Sequence, residues 1–131
     1  MIVAAVGLSS VSQVRAAGGD PAKGKGYYAQ WCSPCHGENG KGDGMVAASL
    51  NPKPRNHTDD KLMSTRTDQD IFQTIKGGGV AVKKSPFMPS FGPPAPTNNW
   101  GATLNDQQIW DLVAFIRTLH RGSSSNHGSS K

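Results

Sequence analysis

The sequence predicts an all-α domain, small and wrapped around a group that the chain itself does not encode. Three observations carry that expectation. Apolar residues recur at helical spacing behind a capping residue, most clearly in Asn105 followed by Ile109, Leu112, Val113, Ile116 and Leu119, while β-branched runs are too few for a central sheet. Leu, Ile, Val and Phe make up about a sixth of residues 20–121, below the level that supports an ordinary globular core. A large flat apolar group, held covalently, supplies volume that so few aliphatic residues cannot. The third observation is Cys32-Ser33-Pro34-Cys35-His36, the C-x-x-C-H attachment signature of c-type haem.

Chemistry explains that spacing. On one helical turn, positions i and i+3 share a face, so Cys32 and Cys35 can form thioethers to both haem vinyl groups, and His36 then lies beneath the iron as its proximal ligand. Two rival readings compete. Trp31-Cys32-Ser33-Pro34-Cys35 also looks like the active site of thioredoxin-like oxidoreductases, but that fold requires a buried strand before the motif and βαβ units around it. The residues before Cys32 read as a short helix instead. Zinc needs four ligands in a structural site, and two cysteines with one histidine leave it one short.

Gly24-x-x-x-Tyr28-x-x-x-Cys32-Ser33-Pro34-Cys35-His36-Gly37, followed by Gly40-x-Gly42-x-Gly44, resembles the small bacterial class I mono-haem cytochromes c. The resemblance runs from about Asp20 to Arg121 and rests on three separated blocks: the haem motif, Met88-Pro89, and a C-terminal helix with the family's apolar pattern. It implies the small helical cytochrome c fold, with N- and C-terminal helices crossing around one covalent haem. It also implies electron transfer by Fe(III)/Fe(II) cycling between redox partners, and attachment of the haem outside the cytoplasm.

Taken in order, Ile2–Leu8 is a short apolar run followed by small and polar residues to Ala17. Residues 1–16 read as a secretory signal, lacking a positive n-region, with the mature protein beginning near Ala17 and lying in the periplasm or otherwise exported. Seven apolar residues are too few for a membrane span, which takes roughly 20. Asp20 and Pro21 predict the start of a first helix reaching about Trp31. Gly24 and Tyr28 share one face of it, where another helix can cross closely; the resemblance makes that partner the C-terminal helix, with Phe115 against Gly24 and Tyr28. Gly37–Gly44 reads as loop, and Met45–Leu50 as one helical turn. Asn51–Arg55 is an extended strip because each proline pushes its predecessor out of the helical region. In the resembled family a proline carbonyl near here accepts the proximal histidine's Nδ1 hydrogen, which leaves Pro52 or Pro54. Arg55 has the fork that suits a haem propionate, or is an exposed basic residue.

Thr67, with Asp68 and Asp70 behind it, caps a further helix whose apolar face is Ile71, Phe72 and Ile75, ended by Gly77-Gly78-Gly79. Residues 80–103 form a long proline-rich segment, read as the flap over the distal haem face. Asn105 with Gln108 at N3 predicts a capping box for the last helix, which runs to about His120. The domain is therefore 17–121, and residues 122–131 are a flexible tail in which His127 is no ligand.

Met88 is the expected distal ligand. It lies between Pro86-Phe87 and Pro89-Ser90-Phe91, where prolines stiffen the backbone and aromatics shield the sulfur. Met45 follows His36 too closely, and Met63 sits among charged and polar residues with no proline to hold it. His57 offers a bis-histidine alternative, whereas His120 suits a helix C-terminal cation. With 14 Lys and Arg against 9 Asp and Glu the chain is basic, yet no basic stripe with stacking aromatics supports nucleic-acid binding. Lys23, Lys25, Lys41, Lys53, Lys76, Lys83 and Lys84 fall in segments expected around the haem, which suits redox partners with an acidic face. The alternative is a haem with a labile distal ligand that binds a small molecule, or a subunit feeding electrons to a catalytic partner.

Overall fold

Asp20 has extended backbone and its carboxylate accepts from the Ala22 N–H, so α1 (Pro21–Tyr27) starts on the expected cap with proline at its first position. The structure, a computed structural model, describes residues 18–93, 96–98 and 100–124, with side chains to residue 120. The expectations placed on the signal segment 1–16, on Ala17 and on the tail from residue 125 onward lie outside the described residues. Those residues hold helices and loops with no strand among them, the all-α architecture expected.

The first helix does not continue as one regular α-helix to Trp31. Tyr28–Cys32 forms a π turn, and α2 (Ser33–His36) follows it. Pro34 gives the physical reason, since it lacks an N–H and its ring crowds the carbonyl four residues earlier, so the helix widens before it. The widened turn buries both Tyr28 and Cys32. After the loop, Ala47–Ser49 makes a single 3-10 turn within the expected stretch.

A short helix, α3 (Asp60–Met63), was absent from the sequence expectations. Asp59 caps it by accepting from the Leu62 N–H. Next, α4 (Asp68–Ala81) opens on a full capping box between Thr67 and Asp70 and breaks at Gly78, where φ is 74°. Thus the glycine run interrupts the helix as expected, and one further turn follows. The last helix, α5 (Asp106–Ser124), begins on the reciprocal Asn105–Gln108 pair, with N–H to side-chain bonds of 2.9 and 2.8 Å, and extends four residues past His120.

α1 crosses α5 at Gly24. A side chain there would collide with the Asp111 backbone carbonyl and lie 2.9 Å from Phe115 Cβ, so hydrogen is the only substituent that lets the two backbones meet. Beside it the Tyr28 and Phe115 rings meet edge to face, 5.1 Å apart. The Asp20 N–H adds a bond of 2.8 Å to the buried Asp111 carboxylate. Gly24→Val should therefore lower stability by about 3 kcal/mol, the upper range for overpacking, measurable as a fall in Tm. Gly26→Val, with open space around it, should cost less than half as much.

Arg117 is a buried charge in this interface. It is 6% exposed, its Nε donates to Asp68 at 2.6 Å, its Nη1 to the Met63 carbonyl at 3.0 Å, and its Nη2 to the Arg66 carbonyl. One guanidinium thus joins α5, the start of α4 and the end of α3. His120 completes the group by pairing with Asp60 at 3.0 Å, a partner on α3 rather than the C-terminal carbonyls its position suggested.

Candidate haem site

Cys32, Cys35 and His36 open onto a cavity of about 700 Å³. Its other walls come from α3, α4, α5 and the loops leading into them: the Pro52–Arg55 strip and His57, Leu62 and Met63, Arg66, the Ile71 and Ile75 face of α4, the Val82–Pro89 loop including Met88, and Ile116 of α5. The volume lies within the range of pockets that enclose a large ligand, roughly 300–1,000 Å³. All five residues singled out as site residues, Cys32, Cys35, His36, Arg55 and Met88, line this one space.

The loop after α2 folds back on the motif. Gly42, Gly44 and Val46 donate their N–H groups to the carbonyls of His36, Cys35 and Pro34 at 2.7, 3.0 and 3.1 Å. These bonds satisfy the end of a four-residue helix that is too short to stand alone. The motif therefore keeps its turn geometry without a longer helix.

His36 is buried, and its Nδ1 lies 3.0 Å from the Arg55 carbonyl. This corrects the expected acceptor, Pro52 or Pro54. The Pro54 carbonyl is turned toward the backbone at Gly42, and in an extended strip the next carbonyl points the other way, which brings Arg55 to the histidine. Burial lowers the His36 pKa, opposed by that hydrogen bond. With Nδ1–H donated, Nε2 keeps a free lone pair and is the nitrogen available to a metal.

The thiols do not suit dithiol chemistry. Burial pushes Cys32 up to about 12, with Cys35 adding to the effect, and burial raises Cys35 too. A nucleophilic cysteine of the thioredoxin type requires the opposite shift. Among the described residues no three His, Cys, Asp or Glu side chains gather as a metal site.

His57 stands on the His36 side of the cavity. Its ring stacks on that of His36, with centroids 4.2 Å apart and planes 18° from parallel, so the two imidazoles lie face to face rather than on opposite sides of a shared iron. A bis-histidine site made of this pair is therefore not supported. Burial holds the His57 pKa well below the ordinary histidine value, helped by His36, Arg55 and His120, and burial raises that of Tyr28. The protonated phenol is thus placed to donate to His57 Nδ1 at 2.8 Å.

On the other wall, the proline-rich segment is folded by polar pins. Asn98 Nδ2 donates to the Ser90 and Ala102 carbonyls at 3.1 and 2.6 Å, and the Phe91 and Gly92 N–H groups bond the Ile75 and Lys76 carbonyls, each at 3.0 Å. Met88 is held by its own carbonyl, which accepts from the Gly79 N–H at 2.9 Å. A Cβ at Gly78 would lie 2.9 Å from that same carbonyl and 2.8 Å from the Ser90 nitrogen. The glycines that break α4 thus also seat the Met88 loop. Met45 is 96% exposed and stands away from the cavity, whereas Met63 is 2% exposed and lines it; its polar sequence neighbours concealed that burial.

Arg66 was missed by the sequence reading. It lines the cavity with Arg55 and Lys84, and its buried Nε has no hydrogen-bond partner. The cations crowd one another: after burial, Arg66 is the next influence lowering the pKa of Arg55, and likewise of Lys84. An orphaned buried donor amid mutually repelling cations fits a ligand with anionic arms. A haem, with two propionates, a coordinating metal and two vinyl groups for Cys32 and Cys35, matches this donor set.

A family model described as Cytochrome c matches residues 21–120. Among solved structures, a chain of the Kuenenia stuttgartiensis reducing HAO-like protein complex is similar at 31% identity with a TM-score of 0.49, over 74% of this chain and 41% of that one. This chain therefore spans less than half of that chain's length. No curated protein matches it.

Proposed function

The chain belongs to the cytochrome c family, and from that premise we propose that it is a mono-haem electron carrier, with His36 and Met88 as axial ligands and no substrate turnover of its own. The family carries covalently bound haem c with iron and serves electron transfer. One observation supports the finer reading most: the single C-x-x-C-H motif and Met88 share the lining of one cavity.

In this reading Cys32 and Cys35 would bind the macrocycle and His36 Nε2 would hold the iron. Arg66 and Arg55 would neutralise the propionates, while the Val82–Pro89 loop would cover the macrocycle and exclude water. The bound haem supplies a reversible Fe(III)/Fe(II) couple. With His36 and Met88 both holding the iron, no open position would be left for a substrate. The signal-like residues 1–16 and the extracytoplasmic chemistry of haem attachment favour an exported protein. No helix of the described residues is long and apolar enough to cross a membrane.

Exposed Lys83 sits on the loop that carries Met88, which favours docking to redox proteins with an acidic face. Redox titration of the holoprotein should follow a one-electron Nernst curve with one haem per chain. Its bimolecular rate with an acidic redox protein should fall about tenfold or more between low and moderate salt, and Lys83→Glu should slow it at low salt. A multi-electron curve would defeat the mono-haem reading, and a salt-independent rate the acidic partner.

A further inference from the structure

We propose that His57 is a positioning residue that sets the ring plane of His36, and that Tyr28 holds His57 in place to do so; the proposal rests on the reading of His36 as an iron ligand. His36 is fixed at two points along one line, its Nδ1 bond to the Arg55 carbonyl at 3.0 Å and its ligating Nε2. The ring is otherwise attached only through the Cβ–Cγ bond, a broad torsion that leaves its plane some freedom to tilt. A flat group against the ring's face removes the freedom, and His57 is that group, 4.2 Å away and 18° from parallel.

His57 is itself fixed. Its N–H donates to the Gly40 carbonyl at 2.7 Å, its Nδ1 pairs with the Tyr28 hydroxyl at 2.8 Å, and it is 9% exposed. Tyr28 is 1% exposed and braced by Phe115 of α5. A path of packed rings therefore runs from the α1–α5 crossing to the ligand: Phe115, Tyr28, His57, His36. Partners of ligating histidines commonly fix ring orientation through a hydrogen bond; here a second partner does so through a stack.

The plane of an axial imidazole governs how its π orbitals overlap the iron d orbitals, and hence how unpaired spin spreads over a ferric macrocycle. The spread of the four haem-methyl proton shifts reads this directly. In the ferric holoprotein, His57→Ala should change that spread by about a third or more, while the Met88-dependent far-red band persists. Tyr28→Phe keeps the ring against Phe115 and removes only the tether, and His57→Phe keeps a flat ring against His36; both should shift the spread in the same direction by a smaller amount.

A role confined to packing would lower Tm in these variants and leave the methyl pattern as in the parent, and that result overturns the proposal. Tyr28→Phe decides the matter by itself if His57→Ala does not accumulate as holoprotein. His36→Gly tests the underlying reading separately: it should lose the parent spectrum and recover a low-spin spectrum with added imidazole. If His36→Gly keeps the parent spectrum, the ligand assignment fails, whatever the His57 variants show.

Discussion

Cys32→Ala with Cys35→Ala should give a colourless chain without cooperative unfolding, whereas acid and acetone should fail to extract the pigment from the parent protein. The structure supplies the scale. Left as a void of 700 Å³, at about 24 cal/mol per Å³, the cavity would cost on the order of 15 kcal/mol. That is comparable with a domain's whole stability of about 5–15 kcal/mol. Water entering the open side reduces the figure, but it also wets Ile71, Ile75 and Ile116, which line the space and belong to the core. Arg66 would keep its buried Nε without a partner, and the cations around it would keep repelling. Folding would therefore depend on the attached cofactor, as it depends on the metal in other small domains built on a metal group. Calorimetry of the double variant should show no sharp transition. A folded, colourless protein with a titratable redox dithiol would reverse the assignment in favour of the thioredoxin-like rival.

Elements announced by local chemistry were legible in the sequence. Asp20-Pro21, Thr67 with Asp70, and Asn105 with Gln108 each cap a helix where their side chains said one begins, because a cap is a contest among neighbours in sequence. The Gly24 crossing with Phe115 was legible too, through family resemblance and a glycine with no local reason to be there. Features decided by distant partners were not. Arg66 reads as one more basic residue until the fold sets it beside Arg55 and Lys84. Arg117 looks like the polar side of α5, yet it is buried because Asp68 and two carbonyls from other segments satisfy it. His57 was read as a distal candidate from its residue type alone. Which face of the cavity a side chain reaches depends on how the chain returns after His36, and no spacing rule encodes that. Met63 was judged by its neighbours in sequence, whereas it is buried in a core cluster drawn from distant parts of the chain, Tyr28, Ile71 and Ile116 among them.

Met88→Ala should abolish the weak far-red charge-transfer band of the ferric protein, turn the haem high-spin and open it to imidazole or cyanide, while Met63→Leu should leave all three unchanged. A thioether ligand gives that band and raises the potential relative to a second imidazole, so the midpoint should fall when the site is refilled with imidazole. Both methionines line the cavity, and their supports differ. Met63 lies on α3, has its carbonyl taken by Arg117 and is a core residue at 2% exposure. Its sulfur is explained by packing, and leucine restores most of the volume at a cost below about 1.5 kcal/mol. Met88 is only partly buried, on a loop outside any helix, and its backbone is fixed by Gly79 and flanked by Pro89. Met88 only borders the core, and a seated loop that presents one side chain to the cavity is what a ligand requires. Gly79→Ala provides an independent check, because a Cβ there would collide with the Ser85 carbonyl and press on Met88 Cβ at 3.3 Å. It should weaken the far-red band with the sulfur still present. If Met63→Leu loses the band and Met88→Ala keeps it, the distal ligand comes from α3 and the Val82–Pro89 loop is a cover alone.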